Sequence, residues 1–310
     1  QALCVFGLAF TGLWVAAKGQ WWLCIVLLLP MSLGQMASVS QDGFLISLAA
    51  LSVALLSRIP QIKSPRRASF WLGVVALCLW SLATARPPYL ALVLSLLVVA
   101  HEHKNNRPIL RTALWTFVFV CVATLFWFWH LSMDVFLKDH RIEGVSYVAN
   151  LDFLLFQPVE WFVFLWKSII GQWSYYLKTF VGNLGHHDTQ FPDWYYVAAP
   201  IALCIAGVLT SVSQKGQQRY AWFYLTIVLL TMLGIFMALF VTWTPLNYPM
   251  LHGVQGRYFI PVVFFLGLID LGNQFTLPHF FRLWAVRLLL GFALVTLMLT
   301  PYVVYFRYYG

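Results

Sequence analysis

Residues 70–100 read FWLGVVALCLWSLATARPPYLALVLSLLVVA, two apolar runs (70–85 and 88–100) joined by Arg86-Pro87-Pro88-Tyr89. Crossing a bilayer takes about 20 apolar residues at 1.5 Å rise each, so both runs are short. Two consecutive prolines remove backbone donors and push the preceding residue out of the helical region, so no straight helix continues through the turn. The stretch therefore predicts a helical hairpin with its tip at or below a membrane surface. Non-helical backbone at that depth is tolerated only where protein or a water-filled cavity surrounds it.

The rest of the chain agrees with a membrane setting. Hydrophobic residues make up 61% and charged residues 9% of the 310 positions, with a mean hydropathy of +0.79. Soluble domains carry roughly 25% charged residues, and a soluble fold of this length cannot hide so much apolar surface. Fifteen tryptophans suit belts at the two membrane–water interfaces. The expectation is an all-α, polytopic integral membrane protein with about ten hydrophobic segments: 1–17, 21–37, 43–57, 70–85, 88–100, 112–131, 195–213, 219–243, 257–275 and 282–303. The chain opens at Gln1 already inside an apolar run, so it is expected to be a piece of a longer protein. The five cysteines sit in apolar segments and behave as small hydrophobes.

A net charge of +9 does not point to nucleic acid, because the basic residues lie in short loops rather than in a stripe with exposed aromatics. Lys18, Arg58, Lys63, Arg66, Arg67, Lys104, Arg107, Arg111, Lys215, Arg219, Arg282 and Arg287 fall at ends that alternate consistently. The positive-inside rule assigns them to the cytoplasm. Asp42, Asp134, Asp139, Glu143, Asp152, Glu160, Asp188 and Asp193 then lie outside, with Glu102 inside and Asp270 within a span.

Three regions follow: a first bundle part (1–131), an extracytoplasmic connection (132–194) and a second bundle part (195–310). A structureless connection of that length is unusual, and its middle, Phe153 to Phe180, mixes apolar and polar residues as helices in the interface do.

Polar residues at such depths are costly and mark function by default. Four clusters stand out. In Ser38-Val39-Ser40-Gln41-Asp42, the acid can bind a cation, act as a base, or cap the next helix. In Arg86-Pro87-Pro88-Tyr89, the guanidinium suits a phosphate or carboxylate, or an internal ion pair. In Gly253-Val254-Gln255-Gly256-Arg257-Tyr258, glycines allow close backbone approach to a ligand, and Arg257 stands at the positive end of a span. In Gly182 through Trp194, His186, His187, Asp188 and Asp193 suggest either turn chemistry or a divalent metal, although adjacent histidines ligate one ion poorly. Asp270 and Asn273, a helical turn apart, satisfy each other or a neighbouring helix.

No Walker loop, nucleophile elbow or dinucleotide fingerprint occurs, and no paired broken helices of the transporter kind are visible. Arginines at a lipid–water boundary facing acids suit a lipid-linked phosphate next to a group that loses a proton. That is the chemistry of glycosyl transfer from a polyprenyl-phosphate donor.

At these clusters the chain resembles the bacterial domain-of-unknown-function 2142 family of polytopic membrane proteins. The stretches are PMSLGQMASVSQDG (30–43), RPPY (86–89), GNLGHHDTQFPDW (182–194) and VQGRYFIP (254–261), in the family's order. That family resembles the GT-C superfamily of membrane glycosyltransferases. The resemblance implies a polyprenyl-phosphate-linked sugar donor, a site on the extracytoplasmic face of a bacterial inner membrane, and a role in cell-envelope glycan or glycolipid assembly. GT-C enzymes usually carry a catalytic acid in the first outer loop, which would fall upstream of Gln1. The expected roles are substrate binding for Arg86, Tyr89, Gln255, Arg257 and Tyr258, and catalysis for Asp42, Asp188 and Asp193. No resident metal is expected, with a divalent cation left open as cofactor. The expected partners are the lipid-linked donor, membrane lipids and a protein partner in a membrane complex. A non-enzymatic subunit binding lipid or quinone is the alternative. A transporter or flippase ranks last, because only Asp270 lies inside a span.

Overall fold

The computed structural model describes residues 1–132, 144–185, 188–212, 220–269 and 278–310. The expected all-α polytopic architecture holds. Helices are α1 (Ala2–Val15), α2 (Gln20–Leu28), α3 (Pro30–Ala37), α4 (Gln41–Arg58), α5 (Pro65–Ala85), α6 (Ser95–Glu102), α7 (Arg107–Trp127), α8 (Tyr147–Phe156), α9 (Pro158–Gly171) and α10 (Trp173–Val181). After a small antiparallel hairpin, β1 (Asn183–Leu184) with β2 (Thr189–Gln190), follow α11 (Asp193–Val212), α12 (Ala221–Trp243), α13 (Ile260–Val263) and α14 (His279–Tyr309). Among the described residues six helices are long and apolar enough to cross a membrane, or eight if each of two bent pairs counts as one.

Three expected spans take a different form. Segment 21–37 is two helices, α2 and α3, bent by 69°. Leu29, preceding Pro30, is driven to an extended ψ of 137°, as steric conflict with the proline ring demands. Ser32 mends the break by donating its hydroxyl to the Val26 carbonyl at 2.6 Å. Segment 88–100 begins as a 3₁₀ helix, Pro87–Leu94, before becoming α6. Segment 257–275 alternates 3₁₀ Gly256–Phe259, α13 and 3₁₀ Phe264–Leu268. The interfacial stretch forms α8 and α9, which meet at 107° across Gln157-Pro158.

Helix α4 is the centre of the bundle, packed against α1, α3, α5 and the 256–268 segment. Polar contacts tie the elements together at each end of the bundle. At one end the Ala17 amide donates to Ser57 Oγ at 3.0 Å and His101 Nδ1 meets the Tyr220 hydroxyl at 2.6 Å. At the other end Gln1 Nε2 donates to the Ser40 carbonyl at 3.0 Å, and the long connection is anchored there too. Asn150 Nδ2 donates to the carbonyls of Phe240 and Thr244, at 2.9 and 2.8 Å. It thereby satisfies orphan acceptors at the end of α12.

Candidate functional site

Asp42 lies in the first turn of α4 but does not cap it. The cap is Ser40, whose Oγ accepts from the Gly43 amide at 3.3 Å, which leaves the Asp42 carboxylate to reach sideways. One oxygen bonds Arg86 at the start of the first 3₁₀ segment. The other stands 3.4 Å from Arg257 Nε. This second contact is within ion-pair range but is not aligned as a hydrogen bond, and Arg257 Nε is buried without a hydrogen-bond partner. One carboxylate, 15% exposed, thus holds guanidiniums that are 24% and 30% exposed.

An aromatic ring completes the cluster. The Arg86 guanidinium carbon lies 4.0 Å from the Tyr258 ring centroid and that of Arg257 lies 5.6 Å away, so the ring's negative face meets both cations. Tyr89, fully buried, donates its hydroxyl to the Tyr258 carbonyl at 2.8 Å. It acts behind the arginines, fixing the backbone that carries one of them.

Of the two glycines in the third cluster, Gly253 lines the space described below, whereas Gly256 packs against protein. A side chain at Gly256 would collide with the Tyr176 carbonyl and the Phe180 amide of α10. The missing Cβ lets two protein backbones approach, locked where the Gly256 amide donates to Thr179 Oγ1 at 2.8 Å. Gly253 adopts a φ of 82°, the left-handed region that glycine enters freely.

Above the cluster opens a cavity of about 1290 Å³. Its walls come from the Arg86–Pro88 tip, α10, the β hairpin, the far end of α12 and residues 248–258. The α12 wall is apolar, with Ile235, Ala238 and Leu239. Among the described lining residues Arg86, Arg257 and Lys178 are cationic and none is a carboxylate. Gln255 also lines it, with a buried Oε1 that has no partner.

The fourth cluster divides. Asn183 and Gln190 line the cavity, whereas Asp188 and Asp193 do not. Asp188 Oδ2 accepts from Arg307 at 2.8 Å, and Asp193 Oδ1 lies 3.7 Å from Lys178 Nζ. Partial desolvation opposes it, but the Arg307 hydrogen bond and charge hold the Asp188 carboxyl below its ordinary pKa. His186, His187, Asp270 and Asn273 lie outside the described residues. Among the described residues no three His, Cys, Asp or Glu side chains converge as a metal would need. At Asp42, two guanidiniums around one carboxylate suit an anion better than a cation.

Lys178, Asn183, Gln190 and the aromatic wall residues Trp243 and Tyr248 were not expected at the site. The signals were faint: an amide or aromatic next to a Pro- or Gly-rich turn, as in Pro245 to Gly253, is common in any loop.

Fold and site define a polytopic integral membrane protein with a lined cavity at one end of its bundle. The chain belongs to the family described as predicted membrane protein DUF2142, whose profile matches residues 1–266. No curated protein and no solved structure gives a significant match.

Proposed function

We propose that the protein is a GT-C-like glycosyltransferase that takes a polyprenyl-phosphate-linked sugar on the extracytoplasmic face of a bacterial inner membrane, in cell-envelope glycan or glycolipid assembly. The observation that carries this reading is the shared grip of Asp42 on Arg86 and Arg257 at the foot of an apolar-walled cavity. Two guanidiniums against one carboxylate leave a net positive charge. A phosphodiester between lipid and sugar matches it, with the hydrocarbon running along Ile235, Ala238 and Leu239.

When an acceptor hydroxyl attacks the anomeric carbon, the bond from that carbon to the phosphate oxygen breaks, polyprenyl phosphate leaves with charge gathering on it, and the hydroxyl's proton passes to an oxygen of that departing phosphate. Arg86 and Arg257 face that charge partly desolvated and already oriented, which favours the transition state over the ground state. Asp42 serves as a positioning residue, since both its oxygens are engaged by the arginines. Asp193 lies beside Lys178 at the rim, and Asp188 tethers Arg307.

The test is glycan transfer in membranes that carry the full-length protein. Arg257→Ala lowers kcat/KM by about 10² to 10³, the usual cost of losing one preorganised donor to a developing anion. Asp42→Asn gives a comparable loss by releasing both guanidiniums. Unchanged transfer in both variants sinks the assignment. A stoichiometric partner whose assembly survives both substitutions would favour a non-enzymatic subunit instead.

A further inference from the structure

Two residues of the cavity wall each carry a side-chain oxygen that is buried with no hydrogen-bond partner, Asn183 Oδ1 and Gln255 Oε1. Asn183 is only 5% exposed. Leaving a buried amide oxygen unpaired costs about 1–3 kcal/mol, and native structures rarely accept that without a reason. Neither residue is idle filler in its element. Asn183 opens β1 directly opposite Gln190 of β2, and opposed residues of an antiparallel pair present their side chains on the same face. Gln190 lines the same cavity.

The hairpin is held rigidly. Tyr196 donates its hydroxyl to the Gly182 carbonyl at 2.9 Å and accepts from the Phe191 amide at 3.0 Å. Gln255 sits two residues before Arg257, in extended backbone at the head of its 3₁₀ segment. The unpaired carboxamides therefore share one cavity with the guanidinium pair.

We infer that Asn183 and Gln255 are specificity-determining residues that read hydroxyl groups on the headgroup attached to the bound phosphate. A hydroxyl answers either end of a carboxamide, because it both donates and accepts. A bare phosphate fills the arginines and leaves both amides unsatisfied; a polyhydroxylated headgroup satisfies all of them together. Discrimination of this sort is strong, since a site built to bond a hydroxyl leaves its own polar groups stranded when the hydroxyl is missing. The inference rests on the phosphate reading given above.

The test compares two monoanionic diesters that differ in their hydroxyls, a polyprenyl phosphate hexoside and a polyprenyl methyl phosphate, bound to the purified protein in nanodiscs. The wild-type protein binds the hexoside about tenfold tighter or more, two hydrogen bonds of ordinary strength being enough for that. Asn183→Leu and Gln255→Met each weaken hexoside binding by about three- to tenfold and leave the methyl diester unchanged. Equal affinity of the wild-type protein for both lipids overturns the inference, and that comparison needs no variant to fold. A uniform loss of both lipids in the two amide variants overturns it too. Arg257→Gln weakens both lipids alike. If it leaves methyl-diester binding unchanged, the phosphate reading fails and this inference falls with it. If methyl-diester binding depends on Arg257 while no hexoside preference exists, the inference alone fails.

Discussion

Helices α4 and α14 are both apolar enough to cross a membrane, yet 83% of the most apolar window of α4 is buried inside the protein against 11% for α14. Their sequences explain the gulf. Along α4 run Gly43, Ser47, Ala49, Ala50, Ser52, Ala54 and Ser57, small residues that let neighbouring backbones approach where lipid offers no hydrophobic drive to associate. Along α14, Phe280, Leu288, Leu290, Leu294, Met298 and Tyr305 stay exposed. One helix is read by protein and the other by hydrocarbon. Hydropathy registers the membrane equally in both and cannot see this difference.

The same chemical change should therefore have opposite effects on the two helices. A Cβ at Gly43 would strike the Gln35 carbonyl, whereas one at Gly291 meets nothing within 4 Å. Gly43→Ala is expected to destabilise the protein by about 2–3 kcal/mol. Gly291→Ala is expected to be neutral or to stabilise by about 0.5–1 kcal/mol through helix propensity. Unfolding of the purified protein in detergent would compare them directly. Equal effects would mean that α4 is not the packed helix described.

Truncation should give a smaller contrast. Ile46 is fully buried and Leu290 is about half exposed. Ile46→Ala should cost about 2 kcal/mol from the cavity it leaves, and Leu290→Ala under about 0.5 kcal/mol. The same unfolding assay reads both.

The mildest effect concerns the far end of α14, where Arg307 holds Asp188. The folded carboxyl has a lowered pKa, so its contribution is fully present above the ordinary carboxylate value. It is lost as pH falls through the lowered one. Protection factors from hydrogen exchange over residues 300–309, with the intrinsic pH dependence of amide exchange divided out, should stay constant down to about pH 4 and fall only below it. A fall near pH 6 would show that another group holds this end.

These contrasts bear on what a sequence can tell. Arg86 and Arg257 were legible as neighbours although 171 positions apart, because alternation of charge across successive apolar runs places both turns at the same end of the bundle. Their union through Asp42 was only half visible: a lone acid before Gly43 looks like a helix cap until Ser40 is seen to take that role. Asp188 and Asp193 draw the eye by their charge, yet neither lines the cavity: Asp188 turns to Arg307 outside its wall and Asp193 to Lys178 at its rim. Asn183 and Gln190 were overlooked for the opposite reason. An amide carries no charge and barely moves hydropathy, and only hairpin pairing reveals that two of them face the same space. The break at Leu29-Pro30 was there to be read from the proline alone.

The two 3₁₀-rich segments have a consequence for reach. A 3₁₀ helix rises about 2.0 Å per residue against about 1.5 Å for an α-helix. Eight residues of the first kind followed by eight of the second, Pro87–Glu102, extend about 28 Å, close to the roughly 30 Å of a hydrocarbon core. The run that looked too short to cross is a stretched one. Each stretched run begins beside an arginine of the site, so from the level of the two cations the chain gains depth with fewer residues than an α-helix would need.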